Sequence, residues 1–571
     1  MRQIASHDIV ILGSGLAGLR AALEAAQVSQ GKVNIALVSK VQLMRSHSVC
    51  AEGGTAAVLR TEEGDSFELH AWDTVKGSDF LADQDVVDRF VRTIPEEILR
   101  LDHWGLPWSR RSTGQIDQRP FGGHSFPRAT FAADKTGFFE MHALYDVLQQ
   151  YDCVTRYDEW FCTSLLTEGD KFRGLAGIDL TTGEHQAIAG KALIICTGGA
   201  GRLFGYTTYS QTVTGDGLAL AYRAGIALKD MEFLQFHPTG IVPSGILMTE
   251  GCRGEGGYLR DNTGARFMQN YASERMELAP RDITSRSMIT EILAGHGFPG
   301  PRGLDYLHLD LTHLGADKIN ERLPLIREVC IHFMGIDPID EPIPVRPVAH
   351  YAMGGINNDI EGVTRIENLW AAGEAGCQSL HGANRLGCNS TAECLVWGKI
   401  TGAHAAEYAA NHGDVVKLPE AQLQDEDQRI ETQRKREGDE NLYSIRADLW
   451  RTMDQGVGVY RTAEGLQEAL DRIKQLQERA LRAPVKDQSR TYNTDLTAAF
   501  ELGYVLEIAE AMVAGALVRQ ESRGAHARRD FPARDDDNWL KHTLAFRTDD
   551  GPRLDYSPVT ITTWKPVERK Y

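Results

Sequence analysis

An apolar strand running straight into Gly13-Ser14-Gly15-Leu16-Ala17-Gly18 narrows the fold of this chain more than any other feature. Asp8 to Leu12 reads as a buried strand, Leu19 to Ala26 as a helix and Val33 to Val38 as a second strand, so the GxGxxG motif sits inside a β-α-β unit. There, Gly13 permits the tight turn, Gly15 lets a pyrophosphate approach the backbone and Gly18 allows close helix packing. The helix N-terminus points at the phosphates. Ser14 and Ala17 complete the small-residue cradle. The second strand ends Val38-Ser39-Lys40, where an acidic residue normally grips a ribose; Ser39 is expected to take that contact, with Lys40 beside it.

Two later segments repeat the strand-then-glycine pattern and favour FAD over NAD, because both are needed to wrap an extended cofactor. Lys191 to Ile195 leads into Cys196-Thr197-Gly198-Gly199, and Leu369 to Ala372 into Gly373-Glu374, whose acid suits the ribityl hydroxyls. Asn389 to Ala410 then reads as a helix opening with Ser390 and Thr391 near its cap, its positive end placed to stabilise an anionic reduced flavin. Arg45-Ser46-His47-Ser48-Val49-Cys50-Ala51-Glu52-Gly53-Gly54 puts one imidazole beside a paired-glycine turn where the flavin would lie, which suggests a covalent tether.

At 571 residues the chain is several domains long. The expected fold class is α/β: a Rossmann-like FAD-binding domain in two parts (1–240 and 351–415), an inserted α+β capping domain (241–350), a helical domain (416–535) and a polar C-terminal segment (536–571). Phe298-Pro299-Gly300-Pro301 and Pro342-Ile343-Pro344 punctuate the insertion. Leu466, Ala469, Leu470, Ile473 and Leu476 fall on one helical face, and Leu496 to Ala516 forms a second apolar helix. No apolar run approaches the ~20 residues of a spanning helix. Ile9 to Leu12 meets its glycine turn without an export-type leader, so the mature protein is expected in the cytoplasm. The nine cysteines contain no CxxC pair and are expected as buried thiols. A formal charge of −18 argues against nucleic acid and requires any dianionic substrate to be captured by a compact basic cluster.

Such a cluster is present at the borders of the insertion. Phe236-His237-Pro238-Thr239-Gly240 enters it and Val348-Ala349-His350-Tyr351 leaves it. Thr249-Glu250-Gly251-Cys252-Arg253 and Pro280-Arg281-Asp282 lie inside, and His381-Gly382-Ala383-Asn384-Arg385 lies across the cofactor. Each alone reads as an ion pair or a satisfied histidine. Together they form a dicarboxylate pocket, since arginine pairs bidentately with carboxylates and histidines add donors.

With Thr214-Gly215-Asp216-Gly217, Arg119-Pro120-Phe121-Gly122-Gly123 and Glu521-Ser522-Arg523-Gly524-Ala525-His526, these motifs run in one order over nearly the whole length. The chain resembles the flavoprotein subunit of the succinate dehydrogenase and fumarate reductase family. The resemblance implies that His47 bonds covalently to FAD, that His237, Thr249, His350 and Arg385 hold the substrate carboxylates and that Phe121 packs against the substrate. It implies a proton shuttle through Arg281, relayed by Glu250 and Arg253, although a guanidinium holds its proton to a pKa above ~12. Asp216, Asn389 and Ser390 join the cofactor set. It further implies succinate–fumarate interconversion, an iron-sulfur subunit, membrane anchor subunits and a quinone reached through them. Glu52 and the Phe131 to Gly137 stretch look reductase-like, a carboxylate near the flavin lowering its potential; Tyr209 stands where the family often has Asn. Two other readings share the fold: a soluble oxidase resembling L-aspartate oxidase, whose family lacks the tethering histidine, and a non-catalytic use of an FAD fold.

Overall fold

The computed structural model describes residues 1–413 and 415–570; Asp414, inside the 351–415 segment, and Tyr571, at the end of the 536–571 segment, lie outside the described residues. The β-α-β unit comprises strand Arg2–Leu12, helix Leu16–Val28 and strand Ile35–Val38, with Ile9 to Leu12 parallel to Ile35 to Val38. The helix starts at Leu16 rather than Leu19 because Gly15 adopts the extended conformation of an N-cap (φ −73°, ψ −171°).

Arg2–Leu12 lies inside a seven-stranded sheet. Ile35–Val38 and then Val154–Tyr157 continue it on one side, both parallel. On the other, His185–Ile195 runs parallel to it and pairs twice more: its first half antiparallel with Lys171–Asp179, its last residues parallel with Leu369–Ala371. Leu12, Ile195 and Ala371 are therefore level, and the turns after them emerge together at the carboxyl edge, where open α/β sheets bind ligands. Ile9 to Leu12, Ile35–Val38, Ala192 to Ile195 and Leu369–Ala371 are continuous apolar runs because both faces of the sheet are covered there. Helix Asn389–Asn411 packs on helix Leu16–Val28 backbone to backbone: a Cβ on Gly402 would fall 2.4 Å from the Ala21 carbonyl oxygen.

The insertion builds a four-stranded antiparallel sheet in the order Leu234–Ile241, Ile343–Ala352, Leu307–Asp310, Tyr258–Arg260, over a core of Met248, Leu259, Leu309 and Val345. The strands that carry the chain in and out are neighbours, and their ladder slips twice. Gln235 faces Tyr351 but Phe236 faces Ala349, leaving His350 as the extra residue of a bulge; a second irregularity follows His237.

The helical region contains Leu442–Gly456, Ala463–Ala480 and Thr494–Val518. Leu466, Ala469, Ile473 and Leu476 are buried, with Leu470 half-buried at the edge of the face. The charged stretch from Asp425 is largely helical, within Glu420–Arg434. The C-terminal segment is more than a polar tail: hairpin Lys541–Phe546/Arg553–Pro558 joins a five-stranded sheet through Leu228–Lys229.

His542 fastens that hairpin. Its ring nitrogens meet Asp230 at 2.6 Å and Asp83 at 3.3 Å. Burial opposes its charge, but the two carboxylates outweigh burial and raise it to about 9. A raised histidine stabilises the fold fully below its ordinary value of ~6.5 and loses that contribution as pH rises through about 9. The stability gap between wild type and His542→Gln should be on the order of 3 kcal/mol near pH 6 and shrink toward pH 10 in paired thermal melts. A gap independent of pH would show that the histidine is uncharged.

Candidate functional site

A cavity of about 740 Å³ opens at the carboxyl edge of the sheet and continues beneath the inserted domain. Its floor is the glycine turn. Gly13 has φ +111°, and a Cβ there would fall 2.2 Å from the Cys196 carbonyl oxygen. Gly15, Ala17 and Ser14 line the cavity, and Ser14 donates to Ser39 at 2.9 Å. Gly18 does not line it; a Cβ on Gly18 would strike the Gly13 carbonyl oxygen at 2.0 Å, so its task is to let the helix close on the turn. Lys40 donates to Asp216 (2.6 Å), Thr214 (2.8 Å) and Glu501 (2.9 Å). Burial opposes the Lys40 charge, yet the two carboxylates hold its pKa above the ordinary lysine value. This network joins the second strand of the cofactor unit to the long helix Thr494–Val518.

Thr197, Gly198, Glu374 and Ser390 line the cavity, and buried Thr197 Oγ1 has no hydrogen-bond partner among the described residues. Asn389 does not line it: its amide is taken by Thr74 (3.1 Å) and His70 (3.3 Å) behind the helix. Nor do Ser390 and Thr391 cap that helix. The N-cap is Cys388, at φ +65° with no side-chain hydrogen bond, so no side chain masks the first-turn N–H groups or the positive end of the helix. Glu374 is half-buried, accepts from Tyr209 Oη and from Ala352 N (2.9 Å), and desolvation raises its carboxyl to about 7 despite both bonds.

His47 opens a short 3-10 turn, His47–Cys50, whose cap Ser46 accepts from Ser48 N at 3.4 Å. Ser48 Oγ in turn accepts from Leu16 N at 3.2 Å, fastening this segment to the start of the first helix. Burial, reinforced by Arg202, lowers the imidazole to about 4, so the ring is neutral with a free lone pair. Arg119 donates to the carbonyls of Glu52 (3.1 Å) and Gly53 (2.7 Å), fixing the turn through Gly53 and Gly54. The Glu52 carboxyl corrects the sequence reading. Buried, and close to Asp134, it is pushed well above its ordinary value, because burial outweighs Arg119. Its neutral form is favoured, which works against the lowering of the flavin potential that its charge would bring.

The basic groups converge at the far end of the cavity. His237 and His350 meet edge to face with centroids 4.9 Å apart. Burial first, and then Arg281 beside them, hold both well below the ordinary imidazole value, so they are neutral. Thr239 N donates to His237 Nδ1 (3.2 Å), placing the proton on Nε2, which is buried without a partner among the described residues. Arg281 donates through Nε to Glu250 (2.6 Å) and through a terminal nitrogen to Gln235 (3.0 Å). Arg385 donates to the same Gln235 oxygen (3.1 Å) and to Ser390 (3.1 Å), and lies over the Tyr351 ring. Burial and Arg281 lower Arg385 to about 10. Glu250 accepts from Gly122 N and stays below the usual carboxylate value: burial pushes it up, but Arg281 and Arg253 more than compensate. Thr249 and Phe121 line the cavity here, Phe121 backed by Ala56, Ala129 and Cys388. Arg253 stands behind it, 3.5 Å from Glu250 and donating to the Glu277 carbonyl. Arg281, Glu250 and Arg253 thus form a buried chain leading away from the cavity.

Gln235, Arg119 and Glu501 were missed in sequence. Gln235 had a signal: it lies two residues before His237, on the same face of a strand. Arg119 had one too, two residues before Phe121 in the Arg119-Pro120-Phe121-Gly122-Gly123 motif, whereas Glu501 acts from a distant segment and had none. Of the cysteines, Cys50 is exposed and Cys153 and Cys394 are partly so; the other six are buried, and all nine are free thiols.

Two family models match: an FAD binding domain over residues 8–391, and a fumarate reductase flavoprotein C-terminal domain over residues 446–571. The chain is 48% identical over 583 residues to the fumarate reductase flavoprotein subunit of Mycobacterium tuberculosis, covering 99% of each. It is 40% identical over 575 residues to the succinate dehydrogenase flavoprotein subunit of Rickettsia bellii, covering 97% of this chain and 96% of that one. Among solved structures it superposes on an Escherichia coli quinol fumarate reductase variant with a TM-score of 0.96 at 46% identity, covering 100% of this chain and 99% of the other. A quinol-fumarate reductase with menaquinol molecules gives 0.95 at 47% identity over 99% and 100%.

Proposed function

Since this chain belongs to the fumarate reductase and succinate dehydrogenase flavoprotein family and is an FAD-dependent oxidoreductase, we propose that it interconverts fumarate and succinate as the catalytic subunit of a quinone-linked complex. One observation carries the reading: a cavity with a glycine cradle at one end has His237, His350, Arg281 and Arg385 gathered at the other. The residues fit FAD. The cradle leaves space for a pyrophosphate, Lys40 and Ser39 flank the ribose position, and Thr197 Oγ1 and His47 Nδ1 are buried polar atoms without a partner among the described residues.

Bound there, FAD supplies or accepts a hydride, and the chain does the rest. Neutral His237 and His350 donate hydrogen bonds to one carboxylate, with Thr249 beside them, and Arg385 holds a carboxylate as a cation. Phe121 closes the pocket against water. Arg281 delivers or removes the proton on the substrate carbon, and Glu250 and Arg253 resupply it along the buried chain. His47, neutral and nucleophilic, tethers the cofactor.

Electrons pass between this chain and quinone through other proteins. No helix among the described residues is long and apolar enough to cross a membrane, and the cysteines lack the spacing of an iron-sulfur site. An iron-sulfur subunit and membrane anchor subunits complete the path to quinone. The fumarate reductase names of the relatives from Mycobacterium tuberculosis, Escherichia coli and Wolinella succinogenes favour fumarate reduction as the working direction. The test is to purify the native complex and assay fumarate reduction and succinate oxidation with low- and high-potential quinones. Fumarate reduction by the low-potential quinol should be the faster by about tenfold or more, a gap of roughly 1.4 kcal/mol. No turnover of either dicarboxylate would overturn the function, and faster succinate oxidation would overturn the direction.

A further inference from the structure

We propose that Tyr209 is a positioning residue for flavin attachment: its ring, stacked on the imidazole of His47, holds that imidazole in the orientation from which its nitrogen bonds to the cofactor. The inference rests on the reading of His47 as the tether and names the group that prepares it.

The two rings are nearly parallel, with centroids 5.2 Å apart and an interplanar angle of 25°. Tyr209 is buried but does not line the cavity, whereas His47 in front of it does. It is a backing plate rather than a contact for the cofactor.

The plate is fixed at several points. Its hydroxyl donates to Glu374 and accepts from Ala352 N at 3.1 Å. Its ring occupies the space over Gly201, where a Cβ would fall 1.8 Å from a ring carbon. The two preceding residues are tied to the strand that leaves the inserted domain: Thr207 Oγ1 donates to the Ala349 carbonyl at 3.0 Å, and Thr208 Oγ1 lies 2.9 Å from His350 Nδ1. By contrast, His47 sits on a single 3-10 turn, and its Nδ1 has no hydrogen-bond partner among the described residues. An imidazole that makes no hydrogen bond there depends on packing for its orientation, and the stacked ring supplies that packing.

Attachment joins an imidazole nitrogen to the methyl carbon of the flavin. The imidazole N–H proton and one methyl proton pass to water, and the two electrons of the broken C–H bond remain on the flavin. Fumarate, taking up two protons, removes them and leaves as succinate. The stacked ring acts before this exchange, by raising the fraction of time the nitrogen spends aligned.

The test is to express the full chain as wild type, Tyr209→Phe, Tyr209→Leu, Tyr209→Asn and His47→Ser. Covalent flavin is read as fluorescence that stays with the denatured polypeptide, divided by total FAD in the purified protein; thermal melts identify any variant that fails to fold. Tyr209→Phe keeps the ring and should match wild type within about twofold. Tyr209→Leu fills the space without an aromatic face, and Tyr209→Asn removes it; both should attach flavin about three- to tenfold more slowly while still binding FAD. Unchanged attachment in the folded Leu and Asn variants would overturn the proposal, as would a loss in Phe equal to that in Leu. Covalent flavin persisting in His47→Ser would instead overturn the assignment of the tether, whatever the Tyr209 variants do.

Discussion

Arg281→Lys will bind FAD and fumarate almost as wild type does and lose about three orders of magnitude in turnover. The geometry separates the two effects. His237, His350, Thr249 and Arg385 remain in place to hold the substrate, so its Kd should change by less than about tenfold. Arg281, however, serves two partners at once, Glu250 at 2.6 Å and Gln235 at 3.0 Å. A planar guanidinium meets both with a rigid fork, whereas a lysine offers a single head on a flexible stem and cannot face Glu250, Gln235 and the substrate carbon together. Misplaced general acid–base groups typically cost 10²–10⁴-fold. Steady-state reduction of fumarate by a reduced dye, with Kd from flavin absorbance titration, measures both quantities. Turnover within about tenfold of wild type would remove Arg281 from the proton path and leave it a binding cation.

The second large effect is directional. His47→Ser should retain FAD without a covalent bond, lose succinate oxidation by about a hundredfold or more and keep fumarate reduction within about tenfold. The glycine cradle and the Lys40 network hold the nucleotide end independently of the imidazole, so binding survives. What changes is the redox poise: the covalent imidazole raises the flavin potential, and for a two-electron couple each ~30 mV is tenfold in the equilibrium. A fall of about 60 mV would produce the asymmetry. Potentiometric titration and the ratio of the two activities are the readouts. Equal losses in both directions would mean that His47 acts on substrate binding or folding rather than on potential.

Much of the site was legible because its parts are local. The glycine motif, the two later strand ends and the histidines at the edges of the insertion each carry their chemistry within a few residues, and the β-α-β register brings them to one edge of one sheet. The failures were of two kinds. Burial is a property of the assembled chain, so Glu52 reads as a charged group although its surroundings favour the neutral form, and Asn389 reads as a cofactor residue although its side-chain amide meets Thr74 and His70. Long-range partners were the other: Gln235 joins Arg281 to Arg385, and Glu501 reaches Lys40 across 461 positions. The C-terminal tail read as polar because its outer strand Arg553–Pro558 has no buried residue and the residues buried in Lys541–Phe546 include the polar His542 and Thr543.

The bulge at His350 makes the spacing of the two pocket histidines a matter of parity. Strand residues alternate between faces, and an unpaired extra residue resets that alternation for everything beyond it. A single-residue deletion that straightened this ladder would leave every remaining side chain unchanged and every strand paired, yet turn the residues on one side of it to the opposite face. Length is thus under tighter constraint than identity along Ile343–Ala352: substitutions there can be graded in their effects, whereas insertions and deletions act as all-or-none changes.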